Sequence, residues 1–200
     1  MSRFSKEKRE NIELLLLKEA ELLFSNNDLK KVTVDDIVQK VNIGKGTFYH
    51  FYENKEHIYL ELYLRAQTEV FNDVEIIIRS ARQYEAKELC YMVMVKILEG
   101  FSRHPILYST DGKIWSQVTK KVKKDYNAIN NNADKVIFDK MVSAGIQFKY
   151  PDDVVIRLMQ SSLLMAMILM NSDKEMLTCK IMIKALFDYI IEGEETNDEN

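Results

Sequence analysis

Along residues 1–55 apolar positions recur at intervals of three and four, and the polar residues between them carry the start and stop signals of helices. From about Lys6 to Ser25, Ile12, Leu15, Leu16, Ala20, Leu23 and Phe24 fall on one helix face. Thr33 can cap a second helix, Asp35 and Asp36 occupy a first turn whose dipole favours negative charge, and Val32 can staple onto Ile37. Ile37, Val38 and Val41 are its expected buried stripe. Asn42 tolerates the left-handed backbone that a reversal needs, Ile43 plugs the turn, and the next helix is expected to begin at Gly44 or Lys45. In that helix Phe48 and Tyr52 are spaced to face inward, leaving Lys45, Gly46, Tyr49 and His50 outward. Gly46 costs a helix about 1 kcal/mol relative to Ala, so its presence suggests a backbone that something approaches closely. Nucleic acid is the natural candidate, because helix N-termini attract phosphate and the major groove admits a helix.

Asn54 is placed to cap a fourth helix. Between Lys55 and Arg79 there is no Pro or Gly, which predicts a continuous element of about 35 Å linking two domains. Further stripes follow: Leu89, Met92, Val93, Ile97 and Phe101, ending near His104-Pro105; then, after a short segment from Ile106 to Tyr108 and an Asp111-Gly112 turn, Trp115, Val118, Val122, Tyr126 and Ile129. Asn130 to Asn132 can interrupt the chain before Val136, Phe138 and Met141 continue helically to Gly145. Pro151 opens the first of two final helices, about Pro151 to Met170 and Lys174 to Ile191, which are apolar on more than one face. The reading is all-α. Its domains are residues 1–54, a three-helix head with a helix-turn-helix, and residues 55–192, a sensing and dimerisation domain, followed by an acidic tail, 193–200, expected to be disordered.

Gly and Pro, at 6 and 2, leave little turn chemistry for sheets. The net charge of −3 is unevenly spread: residues 1–55 hold 10 Lys and Arg against 9 acids, residues 56–190 hold 18 against 17, and the last ten hold none against 5. The tail carries the acidity, and from Lys40 to Lys55 three lysines meet one acid, Glu53, so the outward face is locally basic. Cys90 and Cys179 lie in apolar stretches without motif spacing and are expected in the core of a protein of the reducing cytoplasm. No secretory leader is expected from the charged stretch Ser2 to Glu10, and the longest apolar run, Leu163 to Met170, is far short of the roughly 20 residues that span a bilayer. Lys120, Lys121, Lys123 and Lys124 oppose an apolar stripe and read as a solvated face. Gly44-Lys45-Gly46-Thr47 lacks the spacing of a phosphate loop, and His50, His57 and His104 lack metal-ligand spacing. No catalytic constellation, metal site or cofactor site is expected.

Phe24 through Leu29, Thr33, Ile37, Gly46-Thr47-Phe48-Tyr49 and Asn54-Lys55-Glu56 together resemble the N-terminal domain of the tetracycline-repressor (TetR) family of bacterial transcription regulators, over residues 8 to about 62. Asp28 and Asn42 stand where that pattern usually has Gly, and Gly44 where it often has Ser. Phe51 stands where it often has a phosphate-bonding His or Tyr, which Phe cannot imitate.

The resemblance implies a dimeric repressor whose reading helices enter successive major grooves of a palindromic double-stranded operator. Lys45 is the candidate for base readout and Gly46 for close backbone approach, with Thr47, Tyr49, Lys55 and Thr33 on phosphates and His50 on the same face. Nine of the ten methionines follow residue 90. With the aromatic residues there they suggest a soft interior for a small apolar or aromatic effector, with Phe101, His104, Tyr108, Trp115, Tyr126 and Met141 as candidate lining. Leu164, Ile168, Ile183 and Phe187 are the candidate homodimer interface, in a four-helix bundle formed by two helices from each subunit. An adaptor whose C-terminal half binds a protein partner is the alternative. A helical-bundle enzyme would need convergent titratable groups that the sequence does not show.

Overall fold

The computed structural model describes residues 5–108, 112–122, 133–169 and 173–192. Tyr126, Ile129, Lys123, Lys124 and the tail lie outside them. So do the side chains of Tyr108 and Trp115. Among the described residues there are nine α-helices, with one isolated bridge, Phe148 to Ile191, in place of any sheet. They are α1 (Lys6–Asn26), α2 (Val34–Val41), α3 (Lys45–Phe48), α4 (Lys55–Arg79), α5 (Ala86–Arg103), α6 (Gly112–Lys121), α7 (Ala133–Ser143), α8 (Asp152–Leu169) and α9 (Asp173–Ile190), with short 3-10 turns at Ala81–Gln83 and Pro105–Tyr108. The chain divides into two compact units, Met1–Thr68 with His104–Tyr126, and Glu69–Arg103 with Asn127–Asn200. The division falls inside α4, and residues 104–126 return to the first unit.

In the first unit, the head, α1 is capped by Ser5 and buries Ile12, Leu16, Leu17, Ala20 and Phe24. Leu15, expected inside, is exposed, and Leu17 takes its place, so the buried stripe is rotated from the expected one. α2 and the turn at Pro105–Tyr108 pack on α1. Phe24 meets Tyr59 of α4 edge to face, with ring centroids 5.2 Å apart. Arg65 of α4 joins Glu61 at 2.8 Å and Glu13 of α1 at 3.7 Å.

In the second unit, α5, α8 and α9 pack on one another and α7 packs on α8. Leu89, Cys90, Val93, Met94, Ile97 and Leu98 line the buried side of α5. At Gly100 the backbone of α5 comes so close to Val70 of α4 that a Cβ would collide with the valine methyls. α7 ends in a reversal at Gly145, φ 97°: Gly145 N–H donates to Val142 O and Ile146 N–H to Met141 O, the pairing of a Schellman cap, with Ile146 and Met141 both buried. Val136, expected in the buried stripe of α7, is exposed, and Ile137 is buried instead. Phe148 then stacks on Phe138 at 5.2 Å, and Lys149 N–H bonds Ile190 O at 2.9 Å, fastening the chain to the end of α9.

Cys90 and Cys179 are buried free thiols, and burial pushes the Cys90 thiol up to about 12. Ile183 and Phe187 correct the expected dimer face. Both are fully or almost fully buried within the second unit, because they lie on the side of α9 turned to its own core. Leu164 and Ile168, by contrast, are 51% and 67% exposed, as are Leu177 and Ile181 of α9 at 59% and 60%.

Candidate nucleic-acid interface

The α2 to α3 reversal is built from a few polar residues. Thr33 and Asp36 form a reciprocal capping box: the Asp36 N–H donates to Thr33 Oγ1 at 3.2 Å, and the Thr33 N–H donates to Asp36 Oδ2 at 2.8 Å. The Thr33 hydroxyl also donates to that carboxylate at 2.7 Å, and these bonds hold the Asp36 carboxyl below its usual range. At the other end of α2, Asn42 adopts φ 56°, ψ 49°, its N–H donates to Gln39 O, and Ile43 N–H donates to Val38 O at 3.0 Å. This is the same six-residue cap as at Gly145, with Asn supplying the left-handed position at the cost that Gly avoids.

Gly44 caps α3 in extended backbone without a side-chain bond. α3 is a single turn, after which His50 N–H donates to Thr47 O and Phe51 N–H to Phe48 O, so the chain tightens into i to i+3 turns where a longer helix was expected. Phe48 and Tyr52 are buried beneath it. Lys45, Gly46, Tyr49 and His50 are exposed and Thr47 is half-buried. A Cβ built on Gly46 or Gly44 would have nothing within 4 Å, so nothing in this chain's own packing requires glycine there.

Lys45 reaches back to α2, its Nζ 2.8 Å from Asp35 Oδ2, and that hydrogen bond, with the charge of Asp35, raises its pKa above 10.5. The pair is about half exposed on both sides, so it orients the ammonium without committing it. Lys55 is placed differently. Its Nζ donates to Leu29 O at 2.7 Å, Val32 O at 2.6 Å and Lys30 O at 3.3 Å, which matches the three hydrogens of one ammonium to three carbonyls of the α1 to α2 connection. Burial lowers its pKa, opposed by the neighbouring charge of Glu56. The expected phosphate partner of Lys55 is thus replaced by the head's own backbone.

Asn54 caps α4 as expected, its Oδ1 accepting from His57 N–H at 2.8 Å. Glu56, one residue into α4, is 1% exposed, the buried charged residue among the described residues of the head. Its Oε1 accepts from Gln117 Nε2 and from Lys121 Nζ, each at 2.8 Å. Burial disfavours its charge, the bonds from Lys121 and Gln117 outweigh that, and the carboxyl stays below the usual range. Lys121 is therefore not part of a merely solvated face. The sequence reading missed this cluster because its partners are more than 60 residues apart; the only signal was an acid in a motif word with no other task.

Of the candidate pocket residues, Tyr126 and the side chains of Tyr108 and Trp115 lie outside the described residues. His104 belongs to the head, with Nδ1 3.3 Å from Glu21 Oε1 of α1. Met141 and Phe101 belong to the second unit, where Met141 Sδ lies 3.6 Å from Cys90 Sγ in the core. Among the described residues no cluster of His, Cys, Asp or Glu could hold a metal, and no helix is long and apolar enough to cross a membrane.

Residues 16–62 match the family model of bacterial regulatory proteins, tetR family. Comparison with curated protein sequences gives no match. Among solved structures the fold is similar to that of the TetR family transcriptional regulator PfmR from Thermus thermophilus, at 18% identity and a TM-score of 0.62 over 96% of this chain and 99% of that one. It is also similar to the transcriptional regulator FadR from Bacillus subtilis in complex with stearoyl-CoA, at 14% identity and 0.60 over 88% and 97%. RolR in complex with resorcinol is similar at 16% identity and 0.55 over 91% and 90%. The capping box and the one-turn segment both lie within residues 16–62, so it is this helix-turn-helix head that is similar to bacterial regulatory proteins of the tetR family.

Proposed function

We propose that the protein is a homodimeric repressor that reads a palindromic operator and is released from it by a small apolar or aromatic effector. The observation that carries the DNA contact is Gly46. It sits exposed in the reading segment, it weakens a helix by about 1 kcal/mol relative to Ala, and its own protein leaves the space above it empty. A glycine that the fold does not need is explained by an outside surface that does, here the floor of a major groove. Lys45 is assigned to base readout, because Asp35 orients its ammonium while leaving it accessible. Thr47, Tyr49, His50 and Thr33 are assigned to positioning contacts, and Lys55 is withdrawn from that set.

The effector assignment rests on the soft, methionine-rich second unit and on the ligands of two neighbours, stearoyl-CoA in one and resorcinol in the other. The switch is carried by α4, which runs unbroken from the head into the second unit. To move a dimer from 99:1 to 1:99 in its DNA-fitting form, the effector must favour the other form by about 5.5 kcal/mol. Linkage then requires operator DNA to weaken effector binding by the same factor.

The test is to select bound duplexes from a random pool with the wild type, then to compare Gly46→Ala. Expected is a protein at least as stable to heat as the wild type that binds the selected duplex about tenfold or more weakly, a loss of about 1.4 kcal/mol. A variant that binds as well as the wild type removes the argument for backbone approach at Gly46, and a wild type that selects no sequence overturns the operator reading.

A further inference from the structure

Phe51 ends the reading segment, directly after His50, and cannot itself bond an anion. What lies over it can. The guanidinium carbon of Arg9, from the start of α1, is 5.5 Å from the centroid of the Phe51 ring, within the range of a cation–π contact. Arg9 is exposed, Phe51 is half-buried, and among the described residues no carboxylate pairs with Arg9. Contact through the π face occupies none of the five N–H donors of a guanidinium, so the fork remains open at its edges. An unattached surface arginine loses side-chain entropy when it binds, and a ring that already holds the group reduces that loss. Lys55, by contrast, is spent on three carbonyls.

We propose that Arg9, shelved on Phe51, is a phosphate-binding residue of the DNA interface, with the pair doing together what neither side chain does alone. The proposal rests on the reading of the head given above and extends that interface from the α2 to α3 pair onto α1. A phosphate is the favoured partner over a base edge, because the ring fixes the guanidinium at the border of the reading segment and the planar fork matches two phosphate oxygens.

The test uses the full-length chain and a labelled 30-base-pair duplex of random sequence, titrated at several KCl concentrations, together with thermal unfolding. Arg9→Met keeps an apolar cover over the ring and removes the charge. It is expected to weaken binding about tenfold and to lower the slope of log affinity against log salt by about one, with the melting temperature unchanged. Phe51→Leu is expected to weaken binding by a smaller factor in the wild-type background and not at all in the Arg9→Met background. Arg9→Lys, which keeps the charge without the fork, is expected to retain the salt slope with part of the affinity. If Arg9→Met leaves the slope unaltered while the wild type binds duplex, the proposal fails alone and the contact is packing. If Phe51→Leu weakens binding equally in both backgrounds, the ring does not act through Arg9. A wild type with no affinity for duplex overturns this proposal and the reading of the head together.

Discussion

In the head polar side chains bond the backbone or are themselves buried, whereas in the second unit polar links between helices, such as Arg103 to Glu69 and Asp73 and Lys140 to Glu75, are part exposed and the buried contacts are apolar. Lys55 gathers three carbonyls, Thr33 and Asp36 close a box, Asn54 caps α4, and buried Glu56 holds Gln117 and Lys121. In the second unit the corresponding work falls to Gly100 against Val70, Cys90 against Met141, Phe138 on Phe148, and the buried sides of Ile183 and Phe187. A polar junction is specified by few residues and is directional, so it can set the angle of a short reading segment that has little core of its own. An apolar interior is specified by many residues, none of which dictates direction. The same composition therefore serves as core, cavity or subunit interface.

The sharpest way to test that contrast is to place a charge on each side of the second unit's final helix pair. Phe187→Asp puts a carboxylate into a fully buried position, which is expected to cost more than about 4 kcal/mol and to unfold the unit. Leu164→Asp alters an exposed position and is expected to leave the chain folded, with any effect confined to association. Circular dichroism and sedimentation separate the two. A folded, monomeric Phe187→Asp protein would mean that this side chain serves a subunit interface after all.

The contrast also explains what could be read from the sequence. Helix caps are local, so Thr33, Asn42 and Asn54 announced their roles, and the boundaries of α1, α2, α8 and α9 fall within a residue or two of those expected. Inward positions of the reading segment were legible because Phe48 and Tyr52 stand four apart, one helical turn. The failures are of two kinds. Where apolar residues fall on more than one face of a helix, as in α8 and α9, periodicity does not say which side meets the subunit's own core, and Ile183 and Phe187 were turned the wrong way. Where a polar residue acts across a long loop, no spacing rule applies, and neither the carbonyls around Lys55 nor the partners of Glu56 were visible.

Lys55 gives the next largest effect and tests the polar half of the comparison. Lys55→Met keeps much of the stem and strands the carbonyls of Leu29 and Val32, both part-buried bonds. The expected loss is about 2 to 3 kcal/mol, in the range for hydrogen bonds from a charged donor. Thermal unfolding should show the loss, while the salt slope of duplex binding, measured where the variant is still folded, should stay that of the wild type. The opposite pattern, an unchanged melting temperature with a slope lower by about one, would return Lys55 to the phosphates.

Glu56 provides the smallest effect and the one with a pH signature. Its folded pKa lies below the ordinary 4.5, because the bonds from Lys121 and Gln117 outweigh the penalty of burial. A depressed carboxyl contributes stability that is fully present above its unfolded value and is lost as pH falls through the folded one, so the relevant window runs from about pH 4.5 downward. Replacing it by Gln keeps the shape and an acceptor but leaves Lys121 without its charge partner. Because that lysine is half exposed and can recover water, the expected cost at pH 7 is about 1 to 2 kcal/mol, below the value for a wholly buried pair. Other acids of the fold, Asp36 and Glu75 among them, are also held low, so acid weakens the wild type for several reasons at once. The difference between wild type and Glu56→Gln isolates this residue, since the remaining acids are common to both. Urea unfolding at pH 7 and at pH 3.5 is expected to show that difference shrinking in acid. If it is the same at both, the carboxylate charge is not what joins α4 to α6, and the polar design inferred for the head loses its buried ion pair.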